Sequence, residues 1–378
     1  MEARLTPADR ERYHRHLVLS EFGVAGQERL KAAKVLVVGG GGLGSAASLY
    51  LAATGVGTLA LVDFDKVDLS NLQRQVLYGS ADIGRSKALR GQARLQELNP
   101  DISIVAHDCE VTAGNVMDLI RPYHLVVDGT DRLSTRYQVN DACVLQRKML
   151  VSAAIHRFEG QTFSYVPECG PCYRCIFPSA GEGVTPNCAE AGVLGVLPGV
   201  LGAIQATEAI KLITGIGTPL IGRLLTYDAL AMRFDEFRFG RDTDCRVCSA
   251  YRDIHAPHDL EEFCAPAHAP GSAVSPAELR LLLEDGGATR PLVLIDVREP
   301  FEFLAGHFAG ARNIPMGQFE QRLGELSPRD RNVFVCRIGE RSAKALALAQ
   351  AAGHDAATHL QGGMVAWVRE LGTERITA

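Results

Sequence analysis

The chain has 378 residues, of which 47% are hydrophobic and 22% charged, with a formal net charge of −5 at pH 7. At roughly 150 residues per domain this length predicts two or three domains, and the acidic balance excludes a strongly basic nucleic-acid binder. No apolar run reaches the roughly 18 residues of a membrane span; the longest, 189–213, is broken by Glu190, Pro198, Gln205, Glu208 and Lys211.

Residues 1–5 lack the apolar core of a signal peptide, so the sequence reads as soluble and cytoplasmic, with no membrane partner. Thr6-Pro7-Ala8-Asp9 has the spacing of a capped helix start. The helix that follows should carry Arg12, Arg15 and His16; His14 and His16 have no metal-like partner spacing and read as surface or packing residues. Residues 34–38 form a short β-branched run ending in glycines, and 43–53 read as a helix. Strand patterns follow at 58–62, 102–106 and 124–127, with a helix over 85–98. Apolar strands alternating with helices predict an α/β fold with a mostly parallel sheet covered on both faces.

Residues 252–272 are rich in Pro, Ala and His without periodicity and read as a linker. A second, smaller α/β alternation occupies 273–378. A helix starts at Ser275-Pro276, strands lie at 292–295 and 332–335, and a helix covers 341–352.

Gly39, Gly41 and Gly44 form a G-x-G-x-x-G pattern between the first strand and its helix. Glycines let backbone approach phosphate, and the helix N-terminus supplies N–H groups and a positive dipole. Asp63, at the end of the next strand, could accept bonds from ribose hydroxyls. These features alone also fit an NAD-dependent oxidoreductase or a purely structural turn. The downstream cluster of Asp65, Asn71, Arg74, Lys87 and Asp131 is more than hydride transfer needs. Singly, Arg74 or Lys87 would be a solvated charge; together they can neutralise phosphate. Asp131, after a strand, can hold Mg²⁺ through one carboxylate. Such parts stabilise charge during nucleotidyl transfer.

Ten cysteines remain to be placed. In a reducing compartment, spaced cysteines are metal ligands or catalytic groups more often than disulfides. Cys172 and Cys175, with Cys245 and Cys248, form two C-x-x-C pairs that together suit one tetrahedral, structural Zn²⁺; a redox dithiol is the rival reading. Cys169 is a competing ligand by proximity. Cys336 lies between a strand and a helix, where backbone N–H groups and the nearby Arg341 favour a thiolate or persulfide. Cys188 lies in a polar Gly/Pro-rich segment. Cys109 and Cys143 read as core or near-core, and Cys264 falls in the linker.

Residues 10–250 resemble the ThiF/MoeB branch of the E1-like activating enzymes through RYHRHLVL, GGGGLGS, LVDFDKVDLSNLQRQ, GRSKA and DGTDRLSTRYQVND. The resemblance implies binding of ATP and Mg²⁺ and adenylation of the C-terminal glycine of a ubiquitin-like sulfur carrier. It places Gly42, Asp63, Asn71, Arg74, Lys87 and Asp131 at the ATP and Mg²⁺ positions and implies Zn²⁺ at the four paired cysteines. Arg15 falls on an arginine that reaches the neighbouring subunit's ATP, which implies a homodimer. Arg132 departs from the asparagine usual there. Residues 274–378 resemble a rhodanese domain through IDVREPFEFLAGHFAGARNIP, VFVCRIGERSAKAL and LQGGMVAW, which implies that Cys336 carries a sulfane sulfur. Asp296, Arg298 and Glu299 of the first motif read as structural. Cys188 matches a cysteine that can bond the carrier or relay sulfur. The implied partners are a carrier, foremost the small subunit of molybdopterin synthase with thiamine, cysteine or tRNA-thiolation carriers as alternatives, and a sulfur donor such as a cysteine desulfurase or thiosulfate. A scaffold with decayed chemistry is the remaining alternative.

Overall fold

A computed structural model describes residues 4–178, 192–258, 273–284, 290–304, 306–337, 339–372 and 375–377. The chain divides into two compact units, Met1–Glu262 and Phe263–Ala378.

The first unit is built on an eight-stranded sheet in the order β3-β2-β1-β4-β5-β6-β7-β8. The strands are β1 (Lys34–Val38), β2 (Thr58–Val62), β3 (Ser103–His107), β4 (Leu125–Asp128), β5 (Met149–His156), β6 (Glu159–Tyr165), β7 (Arg223–Asp228) and β8 (Arg233–Arg238). β1 to β5 are parallel, and β6 to β8 extend the sheet antiparallel. Four of five residues in β1, four of five in β2 and all four in β4 are buried. This double-sided burial explains why these strands read as continuous apolar runs.

The helix Leu197–Thr214 begins with proline in its first turn and ends at Gly215 in a left-handed cap. It packs tightly against the helix Gly42–Ala53: a Cβ on Gly202 would lie 2.5 Å from the Leu43 carbonyl oxygen. Its Gln205 side chain donates to the Asp128 carbonyl (2.7 Å). This apolar segment is thus an inner helix of an α/β layer. Among the described residues no helix is long and apolar enough to cross a membrane. The chain stays packed past residue 251: Ile254 is buried in the core, and Arg246 forms an ion pair with Asp253 (2.8 Å).

The second unit has a parallel five-stranded sheet, β12-β10-β13-β14-β9. Its strands are β9 (Ala273–Val274), β10 (Leu292–Asp296), β12 (Arg312–Asn313), β13 (Arg331–Val335) and β14 (Thr358–Leu360); β11 (His307–Phe308) pairs separately with β15 (Ile376–Thr377). Trp367 packs edge-to-face on Phe308, and Phe319 on Phe334, filling the two sides of this sheet.

Candidate active sites and metal centre

Val38 pairs in register with both Val62 and Asp128. The chain therefore leaves three neighbouring parallel strands at one edge, carrying Gly39, Asp63 and Gly129. That is where open α/β sheets bind ligands. Gly39 has φ of +88°, and a Cβ on Gly44 would lie 1.8 Å from the Gly39 carbonyl oxygen, so neither position accommodates a side chain. The helix Gly42–Ala53 starts at Gly41 without a side-chain cap, which leaves first-turn N–H groups for an anion.

Asp63 accepts from the N–H groups of Gly40 (2.7 Å) and Asp65 (2.8 Å). Burial pushes its carboxyl up, while the Lys87 charge and these two N–H groups pull it back. Tyr78 donates to the Gly40 carbonyl (3.0 Å), fixing the loop from below. Lys87 is buried and reaches the more exposed Asp65 carboxylate at 2.9 Å, and its N–H donates to the Asp65 carbonyl (2.9 Å). Ser86 caps the helix Lys87–Leu98 by accepting from the Leu89 N–H (3.3 Å). Asn71 closes the short turn Leu69–Asn71, and its carbonyl accepts from the N–H groups of Arg74 and Gln75 (both 3.0 Å). The Arg74 guanidinium donates to the Ser70 carbonyl (3.2 Å).

Asp131 follows β4 and is exposed, with no hydrogen bond or ion pair among the described residues. A carboxylate left free beside the glycine loop could hold Mg²⁺, a hard ion that takes oxygen ligands. Arg132 forms an ion pair with Glu110 and stacks on Phe64 at 4.8 Å from the ring centroid. The departure from asparagine thus ties together the loops after β2, β3 and β4. Arg15, on the helix His14–Leu17, is exposed and makes no hydrogen bond or ion pair with these loops among the described residues.

Sequence reasoning missed the support beneath Asp131. Asp128 is fully buried and accepts from Thr130 N–H (3.0 Å), Thr130 O–H (2.8 Å), Ser152 O–H (2.8 Å) and Arg136 (3.3 Å). Arg136 also donates to the Thr130 carbonyl (2.6 Å), so the turn bearing Asp131 rests on a buried ion pair. The signal in the sequence was that Asp128 and Arg136 both fall in the motif DGTDRLSTRYQVND.

Cys172, Cys175, Cys245 and Cys248 place their sulfurs within 4.8 Å of one another. Neighbouring sulfurs are 3.9 Å (172–175), 3.6 Å (172–245) and 3.4 Å (175–248) apart. A tetrahedral Zn²⁺ with sulfur at about 2.3 Å requires sulfur–sulfur edges of about 3.8 Å, so the four fit one ion. Their crowding splits the thiols. Bonds to the other three sulfurs, with burial, push Cys172 far up, while bonds from Cys172, Cys175 and Cys245 hold Cys248 far down. The first pair is anchored by the helix Leu133–Leu145: Asn140 accepts from the Tyr173 N–H (2.8 Å), and Arg174 makes two 2.7 Å bonds to Asp141. Cys169 is exposed and outside the cluster; Cys143 is buried and Cys109 half-buried.

In the second unit Cys336 directly follows β13 and is fully buried. Its sulfur accepts from the Gly339 N–H (3.1 Å), and its carbonyl accepts from the Met364 N–H (2.8 Å). A Cβ on Gly363 would lie 2.4 Å from that carbonyl oxygen, so the glycine pair after β14 lets the loop seat. Arg341 binds Glu302 through bonds of 2.7 and 2.9 Å, which ties the cysteine loop to the helix Pro300–Leu304. Asp296 and Arg298 form a buried forked pair (2.6 Å), and Arg298 donates to the Gly306 carbonyl (2.7 Å), as a structural role requires. Cys188 and Cys264 lie outside the described residues.

The fold and these two sites define a nucleotide-binding α/β transferase joined to a cysteine-centred sulfurtransferase unit. The ThiF family matches residues 13–247 and the rhodanese-like domain residues 275–370; the chain belongs to the ThiF family and carries a C-terminal rhodanese-like domain. It is 45% identical to the probable adenylyltransferase/sulfurtransferase MoeZ of Mycobacterium tuberculosis, over 95% of this chain and 93% of that protein. It is 48% identical to a sulfur carrier protein adenylyltransferase of Thermus thermophilus, over 69% of this chain and 98% of that protein. Among solved structures, Escherichia coli MccB with ATP is similar, with a TM-score of 0.56 and 25% identity over 63% of this chain and 73% of that one. The chain is an adenylyltransferase with sulfurtransferase activity.

Proposed function

We propose that this enzyme adenylates the C-terminal glycine of a ubiquitin-like sulfur carrier and converts it to a thiocarboxylate. The observation that carries this reading is the pairing, in one chain, of the glycine loop with Asp63, Asp65 and Lys87 and a buried cysteine loop around Cys336. The Thermus thermophilus relative, named for a sulfur carrier, and the ATP complex of MccB support it.

In this reading the first-turn N–H groups at Gly42 and Gly44 and the side chains of Arg74 and Lys87 hold the ATP phosphates, and Asp63 holds the ribose. Asn71 and Asp65 complete the nucleotide site, with Asp65 orienting Lys87. Asp131 would hold Mg²⁺, which supplies charge neutralisation at the phosphates when bound. Arg15 reaches the nucleotide of a second copy in a homodimer. The carrier's carboxylate attacks the α-phosphorus and pyrophosphate leaves. A sulfur donor, a desulfurase persulfide or thiosulfate, loads Cys336. The persulfide sulfur attacks the activated carbonyl and AMP leaves. A thiol then attacks the enzyme-bound sulfur of the acyl disulfide, so the thiocarboxylate leaves as a new disulfide forms, and Cys188 is our candidate for a covalent relay of the carrier on this route. Cys172, Cys175, Cys245 and Cys248 hold a structural Zn²⁺. We place the enzyme in the cytoplasm and take the small subunit of molybdopterin synthase as the foremost carrier.

The test separates the two chemistries. Asp131→Ala abolishes carrier-dependent ATP–pyrophosphate exchange and spares thiosulfate-to-cyanide sulfur transfer; Cys336→Ala does the reverse. Loss of both activities from either folded variant overturns the division of labour.

A further inference from the structure

We propose that Ser342 and His359 form a relay that takes the proton from the Cys336 thiol inside the rhodanese-like unit. The proposal rests on Cys336 being the sulfur-carrying cysteine. Cys336 and Ser342 are fully buried and His359 is 6% exposed, so among the described residues a side chain rather than water meets the resting thiol. The Cys336 sulfur lies 3.5 Å from the Ser342 hydroxyl, which lies 3.3 Å from Nδ1 of His359. Ser342 sits in the first turn of the helix Glu340–Ala351, and His359 is the middle residue of β14. The helix follows β13, at whose end Cys336 stands, and β14 pairs with β13, so the fold brings His359, which lies outside the motifs read in the sequence, to the Cys336 loop.

The hydroxyl has one proton and three claimants. It donates to the Gly339 carbonyl (2.9 Å) in the described geometry, or it turns to Nδ1 or to sulfur. With the thiol protonated, S–H donates to the Ser342 oxygen and the hydroxyl proton is directed at Nδ1. Shifting both protons leaves a thiolate, an intact hydroxyl and an imidazolium. One S–H bond breaks, one N–H bond forms, and the net charge of the buried site is unchanged, which avoids stranding a lone charge. The Nδ1–H then donates to the serine oxygen and frees its proton for the anionic sulfur. The thiolate attacks the outer sulfur of thiosulfate, forming the persulfide bond as sulfite leaves with the electron pair. Ser342 touches the reacting sulfur; His359 acts through it as a positioning residue.

Carbamidomethylation of Cys336 in the full chain, followed by mass spectrometry of its peptide, reads the thiolate directly. His359→Asn keeps a hydrogen-bonding amide near the place of Nδ1 but takes no proton. Ser342→Ala and His359→Asn are each expected to slow the reaction about tenfold, and the double variant no further, because the two act in series. The KM for thiosulfate stays unchanged while kcat falls. An unaffected His359→Asn protein, or a double variant slowed about a hundredfold by additive losses, overturns the relay. In the wild-type protein, ¹⁵N NMR should show His359 Nδ1 gaining a proton when thiosulfate loads the persulfide; an imidazole that loading leaves unchanged contradicts it. Sulfur transfer surviving Cys336→Ala instead overturns the reading on which the relay rests.

Discussion

Gly44 shows how much of the nucleotide site is decided by single atoms. A methyl there would overlap the Gly39 carbonyl at 1.8 Å, and backbone cannot yield as a flexible side chain would. Gly44→Ala should cost about 1–3 kcal/mol of stability and eliminate pyrophosphate exchange while thiosulfate transfer continues; retained exchange would show that the loop does not seat phosphate. Cys172→Ser should remove the zinc, read by elemental analysis, and lower the melting temperature of the first unit; unchanged metal content contradicts a four-cysteine site. These residues were legible because their chemistry is local: a glycine spacing, or two sulfurs three positions apart. The Lys87–Asp65 pair, the bond from Ser152 to Asp128 beneath Asp131, and the approach of Ser342 to His359 were not legible, because each joins separate elements that become neighbours only in the fold.

Among the elements, the helix Pro300–Leu304 is held to the cysteine loop by Glu302 and Arg341. Burial would raise the Glu302 carboxyl, but the Arg341 bonds and charge and the Glu299 N–H outweigh it and hold it below its ordinary 4.5. A depressed carboxylate contributes its full stability above the unfolded value and loses it as pH falls through the folded one. Glu302→Gln should therefore lower the stability of the rhodanese-like unit by about 2 kcal/mol at neutral pH. The variant and wild-type curves should converge as pH drops below 4.5. Calorimetry of the full chain checks this, and a gap that persists in acid would assign the loss to packing. At this scale the parallel strands β1, β2 and β4 were readable because burial on both faces makes them uniformly apolar. β8 was not: it is an edge strand whose Arg233, Asp235, Glu236 and Arg238 mark an exposed sheet margin. The two-residue strands of the second unit are too short to carry any period.

For the whole molecule, the consequence is that acyl activation and sulfur supply share one chain. In the proposed function, tethering makes sulfur delivery intramolecular, which raises the effective sulfur concentration at an adenylate. Ten cysteines then sort by chemistry: four are suited to a metal, and the proposed function gives Cys336 the sulfur and Cys188 a covalent relay. The most direct test is mass spectrometry of candidate carriers after incubation with the enzyme, ATP and a sulfur donor. The account predicts a gain of about 16 Da at the carrier's C-terminus, the exchange of one carboxylate oxygen for sulfur, dependent on both ATP and Cys336. A carrier that is adenylated but never gains that mass, or gains it without ATP, contradicts the account.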